Sequence, residues 1–73
     1  MTRKEFRALR EIDKEKFIYS LDDPKIRLIL ALRYLENGSW RSIAYLLGKG
    51  TPDSVRIAEK RFWERLEEND RHE

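Results

Sequence analysis

Apolar residues recur along this chain at helical spacing, and no stretch alternates with the period of a strand. Phe6, Leu9 and Ile12, then Phe17 and Ile18, are separated mostly by charged residues. Thr2 and Glu5 form a capping-box pattern ahead of them. The spacing predicts one amphipathic helix over residues 2–20. Its apolar face either packs on the rest of the chain or pairs with its twin in a homodimer, and a contribution to self-association is expected.

The stretch "LDDPKIR" breaks that helix and starts another. Asp23 is placed to cap it, and Pro24 takes the first position, where a missing N–H is harmless. The segment "PKIRLILALRYLE" is apolar on nearly every side between Ile26 and Leu35, which predicts a central, buried helix. Arg33 lies among these residues, and its guanidinium must reach solvent or a carboxylate. Asn37-Gly38 ends the helix with a left-handed turn.

Ser39 caps a short third helix, "WRSIAYLLG", with Trp40, Ile43, Ala44 and Leu47 on one side and Arg41 and Tyr45 off it. Gly48 closes it. In the turn "GKGTPD", Thr51 is a cap, Pro52 a first helical residue and Asp53 a partner for the helix dipole. The last helix is expected from Pro52 to about Glu67. Val55, Ala58, Phe62 and Leu66 form its core stripe, with Phe62 in the core. Asp53, Arg56, Ile57, Lys60 and Glu64 lie opposite, with Ser54 and Arg61 on the flank. The prediction is a single all-α domain of four helices, with residues 23–67 holding the last three and 68–73 a frayed acidic tail.

Composition narrows the function classes. With 73 residues, the chain makes one small domain with a thin stability margin. Without cysteine there is no disulfide framework or thiolate metal site, and a reducing cytoplasmic setting is expected. Leu28 to Leu32 is too short an apolar run to span a bilayer, and no apolar segment follows the charged start, so neither membrane nor secretory signal is expected. His72 alone makes no metal site. Asp22-Asp23 is a helix start rather than a catalytic pair, and "GKG" lacks the spacing of a phosphate-binding loop. The expectation is a non-enzyme with no cofactor.

The net charge is only +2, but it is unevenly distributed. Residues 39–66 carry six Lys/Arg against three Asp/Glu, while residues 67–73 carry one against four. A short helix, a glycine turn and a second helix with a basic outer face describe a C-terminal helix-turn-helix. In that motif the first helix crosses the phosphate backbone and the second enters the major groove. Ala44 suits the close approach of the two helices. Candidate DNA contacts are Arg41, Tyr45, Lys49, Thr51, Asp53, Ser54, Arg56, Ile57, Lys60 and Arg61. Arg56 comes early in the second helix, where its planar fork can read a guanine edge. Lys60 is assigned to phosphate, with Arg41, Thr51 and Arg61 as positioning contacts. Tyr45 is either a phosphate contact or an ordinary surface tyrosine. Trp40 and Trp63 are assigned to packing rather than base stacking. Glu64 would repel phosphate, so only the first two turns of the helix enter the groove. The alternative is a protein-interaction module using the same helix pair.

"DPKIRLILALRYLENGSWRSIAYLLG" followed by "TPDSVRIAEKRFWERL", residues 23–66, resembles small phage and prophage proteins with a helix-turn-helix similar to region 4 of sigma-70-type factors. The elements that carry the likeness are the arginine-containing run ending in "LRY", then "SW", "IA" and "LG", and a second helix with "DSVR" and "KRF". The resemblance implies a sigma-70 region 4-like fold and a double-stranded DNA-binding transcriptional regulator of phage or prophage type. The alternative partner is RNA polymerase or a phage assembly component. The turn "GKGTPD" is longer than usual for the motif, so with Lys49 it either moves the second helix or itself touches a phosphate. The chain is too short to carry the other regions of a sigma factor and should not open a promoter alone.

Overall fold

The computed structural model describes residues 1–48 and 50–71, and Lys49 and His72 of the candidate residues lie outside them. The described residues are all helical or irregular, without strands. Five α-helices succeed one another: α1 (Arg3–Arg7), α2 (Glu11–Tyr19), α3 (Pro24–Leu30), α4 (Trp40–Leu47) and α5 (Pro52–Arg71). A single π-helical turn, Ala31–Leu35, extends α3. No helix among the described residues is long and apolar enough to cross a membrane.

The all-α expectation holds, but four helices become five, because the N-terminal segment 2–20 is not continuous. The capping box forms as expected: the Glu5 N–H donates to Thr2 Oγ1 at 3.1 Å, and the Thr2 N–H donates to Glu5 Oε1 at 3.0 Å. The helix then stops at Ala8, and Arg10 adopts an extended backbone before α2 begins. Phe6 and Ile18 are both fully buried. On an unbroken helix at 100° per residue they would point roughly 120° apart. The break lets both reach one core and leaves Ile12, expected on the apolar stripe, 55% exposed.

The core gathers Phe6, Ile18, Ile26, Ile29, Leu30, Ile43, Ala44, Val55 and Trp63. Phe6 is an aromatic hub. Its ring centroid lies 5.4 Å from Phe17, 5.1 Å from Tyr34 in an edge-on contact and 5.3 Å from Trp63. These tilted and edge-to-face geometries are the favoured ones for aromatic pairs. The first helix therefore packs on its own domain.

The α3 start follows the sequence. Asp23 Oδ1 accepts from the backbone N–H groups of Lys25 and Ile26, with Pro24 at the first position. The π turn ends in Asn37, whose φ is 58°, as the Asn-Gly signal predicts. Arg33 is part-buried, keeps access to solvent, and meets no carboxylate among the described residues. It donates to the Gly38 carbonyl at 3.1 Å, and its guanidinium carbon stands 4.4 Å from the Trp40 ring centroid. A cation over an aromatic face is stabilised by the ring quadrupole. That contact ties the π turn to the start of α4.

The face of α5 differs most from expectation. Val55, Glu59 and Trp63 are its buried residues, while Ala58, Phe62 and Leu66 are only partly buried. The centre of the buried face is rotated by roughly 55° from the Val55–Ala58–Phe62–Leu66 stripe. Trp63, not Phe62, is the deepest aromatic of this helix. The helix also continues through Arg71 rather than stopping near Glu67, since no Gly or Pro interrupts residues 68–71.

Candidate nucleic-acid interface

α4 and α5 pack directly on each other, and Ile43, Ala44 and Val55 are buried in the shared core. Ala44 is buried in that core, as expected of a small residue on the inner side of α4. Ser39 caps α4 by accepting from the Ser42 N–H at 3.1 Å. Gly48 ends the helix at φ 68°, a conformation that an L side chain disfavours. Gly50 is more constrained still. Its φ is 70°, and a Cβ there would lie 2.6 Å from Ser54 Oγ.

That Ser54 oxygen belongs to the cap of α5. The Thr51 N–H donates to Ser54 Oγ at 3.3 Å, and the Ser54 N–H donates to Thr51 Oγ1 at the same distance. The Ser54 hydroxyl in turn donates to the Thr51 carbonyl at 2.9 Å. Both hydroxyls are exposed but already engaged, so Thr51 and Ser54 set the start of α5 before they can contact anything else.

Arg41 and Tyr45 of α4 are exposed, as are Thr51, Asp53, Ser54, Arg56, Ile57, Lys60 and Arg61 at the turn and on α5. All the described candidate residues therefore lie on the outside of one packed helix pair. Arg41, Lys60 and Arg61 make no ion pair among the described residues. Arg56 does: its Nη2 lies 3.6 Å from Asp53 Oδ1, one turn back along α5. Both side chains are mostly exposed, so the pair contributes only about 0.3–0.5 kcal/mol. Its effect is orientation, because Asp53 draws the Arg56 fork toward the N-terminal end of α5. The rotated core face also moves Ile57 and Arg61 toward the middle of the outer face and Arg56 toward its flank.

Apolar side chains share the same elements. Tyr45 is 84% exposed, Leu46 63% and Ile57 42%. Leu46 follows directly on Tyr45 and, unlike it, carries no polar group that would mark it as a candidate in the sequence.

On the inner side of α5, sequence reasoning missed Glu59. Its side chain is 1% exposed. The Tyr34 hydroxyl donates a short hydrogen bond to Glu59 Oε2, and Arg3 Nη2 lies 3.7 Å from Glu59 Oε1. Arg3 Nε also donates to the Tyr34 oxygen at 3.3 Å. Burial raises the Tyr34 phenol above the ordinary value of 10.0, and its bond to Glu59 adds to the rise, while Arg3 opposes both more weakly. Burial disfavours the Arg3 cation, yet Tyr34 and Glu59 outweigh that and hold its value up.

The Tyr34 shift fixes a sign. A phenol whose value is raised on folding stabilises the fold while protonated. That contribution is present below 10.0 and disappears as pH rises through the folded-state value. Denaturation midpoints measured from about pH 8 to about pH 11 should fall more steeply for the parent than for Tyr34→Phe. Parallel profiles would show that Tyr34 ionisation is not linked to folding.

Comparison of the chain with protein-family models, with curated proteins and with solved structures finds no match.

Proposed function

We propose that this protein is a sequence-specific double-stranded DNA-binding protein, a phage or prophage transcriptional regulator without catalytic activity, whose α4–turn–α5 unit is a helix-turn-helix. One observation carries the reading. Exposed Arg41, Arg56, Lys60 and Arg61 stand on a helix pair fixed by a buried alanine, a left-handed glycine and a reciprocal cap. The likeness of residues 23–66 to sigma-70 region 4-type proteins supports it, and so does the positive balance of residues 39–66. In this reading α4 crosses the backbone with Arg41 and Tyr45. The first turns of α5 enter the major groove, where Arg56 reads a guanine edge and Ile57 offers an apolar contact to a thymine methyl. Lys60 and Arg61 hold phosphates.

Binding of specific and scrambled duplexes at several salt concentrations tests this. Arg56→Ala is expected to cost about 1–3 kcal/mol on the preferred site and to flatten discrimination there. Lys60→Ala is expected to weaken all duplexes alike and to lower the salt slope by about one unit. If neither variant alters duplex affinity while the fold persists, the reading fails.

The exposure of Tyr45, Leu46 and Ile57 favours a second reading, in which the same helix pair docks on a protein such as RNA polymerase or a phage assembly component. A contiguous exposed apolar patch marks a contact surface, and these three side chains would have to form one in this reading. Such a contact would depend on salt only weakly, whereas phosphate neutralisation gives a steep dependence.

A further inference from the structure

A second basic site lies away from the residues assigned to DNA above. Arg3 and Arg7 of α1, Lys14 of α2, Arg33 and Tyr34 of the π turn and Asn37 line one open cavity of about 440 Å³. Among the described residues, the lining contains four cations and no carboxylate. These residues come from separate segments, so their meeting is not the solvated face of a single helix. It is produced by the helix break at Ala8–Arg10 and by the π turn, the two local features the sequence pattern does not announce.

The four cations are held differently. Arg3 is anchored behind the cavity by Tyr34 and by Glu59. Arg33 is anchored by the Gly38 carbonyl and the Trp40 ring, neither of which cancels its charge. Arg7 and Lys14 have no ion-pair partner among the described residues. Gathering like charges in a concave site is unfavourable unless an anion joins them. Two anchored guanidinium groups beside two uncompensated cations match the oxygens of a phosphoryl group, for which the planar arginine fork is well shaped. Asn37 adds an amide donor at the rim. Lys4, with Arg3 and Arg7, lines an adjoining depression and extends the positive surface.

We propose that this cavity binds a phosphate-class polyanion, supplied either by a small phosphorylated compound or by the backbone of a nucleic acid. The four cations come from three separate segments, so linked phosphoryl groups can engage more of them than one phosphate. The proposal does not depend on the DNA reading of α4 and α5, because none of the lining residues belongs to that set.

The test uses the full chain and the double variant Arg7→Ala/Lys14→Ala, whose side chains take no part in the core and whose melting is checked first. Calorimetric titration with inorganic tripolyphosphate provides one arm, and duplex binding across a salt series the other. Amide chemical shifts locate the binding. If the source is a small compound, tripolyphosphate saturates the parent below about 1 mM and shifts the amides of Tyr34 and Asn37. The double variant then loses at least about tenfold in affinity, the tenfold equalling about 1.4 kcal/mol. If the source is a nucleic-acid backbone, the double variant lowers the salt slope of duplex binding by about two units, one for each lost phosphate contact. Either result supports the site. Arg56→Ala/Lys60→Ala serves as the control, since it removes cations of α5 and leaves the cavity intact. The proposal is overturned if the double variant matches the parent in both arms, or if tripolyphosphate shifts map to α5 and the duplex slope is unchanged. Failure of the α4–α5 reading is separate, because it is read from the α5 variants alone.

Discussion

Trp63→Ala should remove a large share of the stability of this domain. The indole is buried, and its ring lies among Phe6 at 5.3 Å, Phe17 at 6.0 Å in a stacked contact and Phe62 at 4.9 Å edge-on. Truncating a buried aromatic of this kind costs about 3–5 kcal/mol. At about 0.05–0.15 kcal/mol per residue, the whole domain has a margin of about 4–11 kcal/mol. Urea denaturation followed by circular dichroism should show a midpoint lowered by at least about a quarter, and close to zero denaturant where the margin lies at the lower end of that range. Phe62→Ala should cost clearly less, because Phe62 is only half-buried. Trp63→Phe sharpens the argument. The buried indole N–H has no hydrogen-bond acceptor among the described residues, and an unpaired buried donor costs about 1–3 kcal/mol. Phenylalanine keeps the ring contacts and removes that donor, so it should be far milder than alanine. If Trp63→Ala melts like the parent and Phe62→Ala does not, the buried face of α5 is the one the spacing of Val55, Ala58, Phe62 and Leu66 predicts.

What was readable in the sequence was local. The Thr2–Glu5 box, Asp23 before Pro24, Ser39, Gly48 and the Thr51–Pro52 start each depend on residues within one turn, and each forms as expected. The exposure of the α4–α5 candidates was readable for a related reason. A helix face is wide enough that an error of roughly 55° in its centre leaves residues such as Lys60 and Arg61 outside. The Arg56–Asp53 pair was readable in principle too, since residues three apart meet on a helix.

What was not readable depends on distant parts of the chain. No glycine or proline marks the break after Arg7 or the π turn at Ala31–Leu35. The break is explained only by the need to bury Phe6 and Ile18 together. Glu59 lies outside the expected Val55–Ala58–Phe62–Leu66 stripe, and its partners stand 25 residues away at Tyr34 and at the chain start in Arg3. The basic cavity was hidden for the same reason. In the sequence Arg3, Arg7 and Lys14 fall on one expected helix and Arg33 on the next, and they meet only when the chain is folded.

Glu59 yields the second large effect. Glu59→Ala removes a hydrogen bond to a charged acceptor, at about 1.5–3 kcal/mol, and one buried methylene at about 0.8 kcal/mol. The expected total is about 2–4 kcal/mol, moderated because the Arg3 it leaves behind is half-exposed and can hydrate. Tyr34→Phe acts from the other side. It leaves the carboxylate buried with only the 3.7 Å Arg3 contact, and should cost about 1.5–3 kcal/mol. The two substitutions share one interaction, so their effects should not add. A double-mutant cycle read from urea midpoints should show at least about 1 kcal/mol of coupling between them. Tyr34→Phe/Glu59→Leu goes further by replacing both partners with apolar groups, which for a buried hydrogen-bonded pair is often nearly neutral. Its stability should lie closer to the parent than Glu59→Ala does. Additivity of the single variants within about 0.5 kcal/mol would mean that Tyr34 and Glu59 contribute independently, and that the link from the π turn to α5 holds the fold through packing alone.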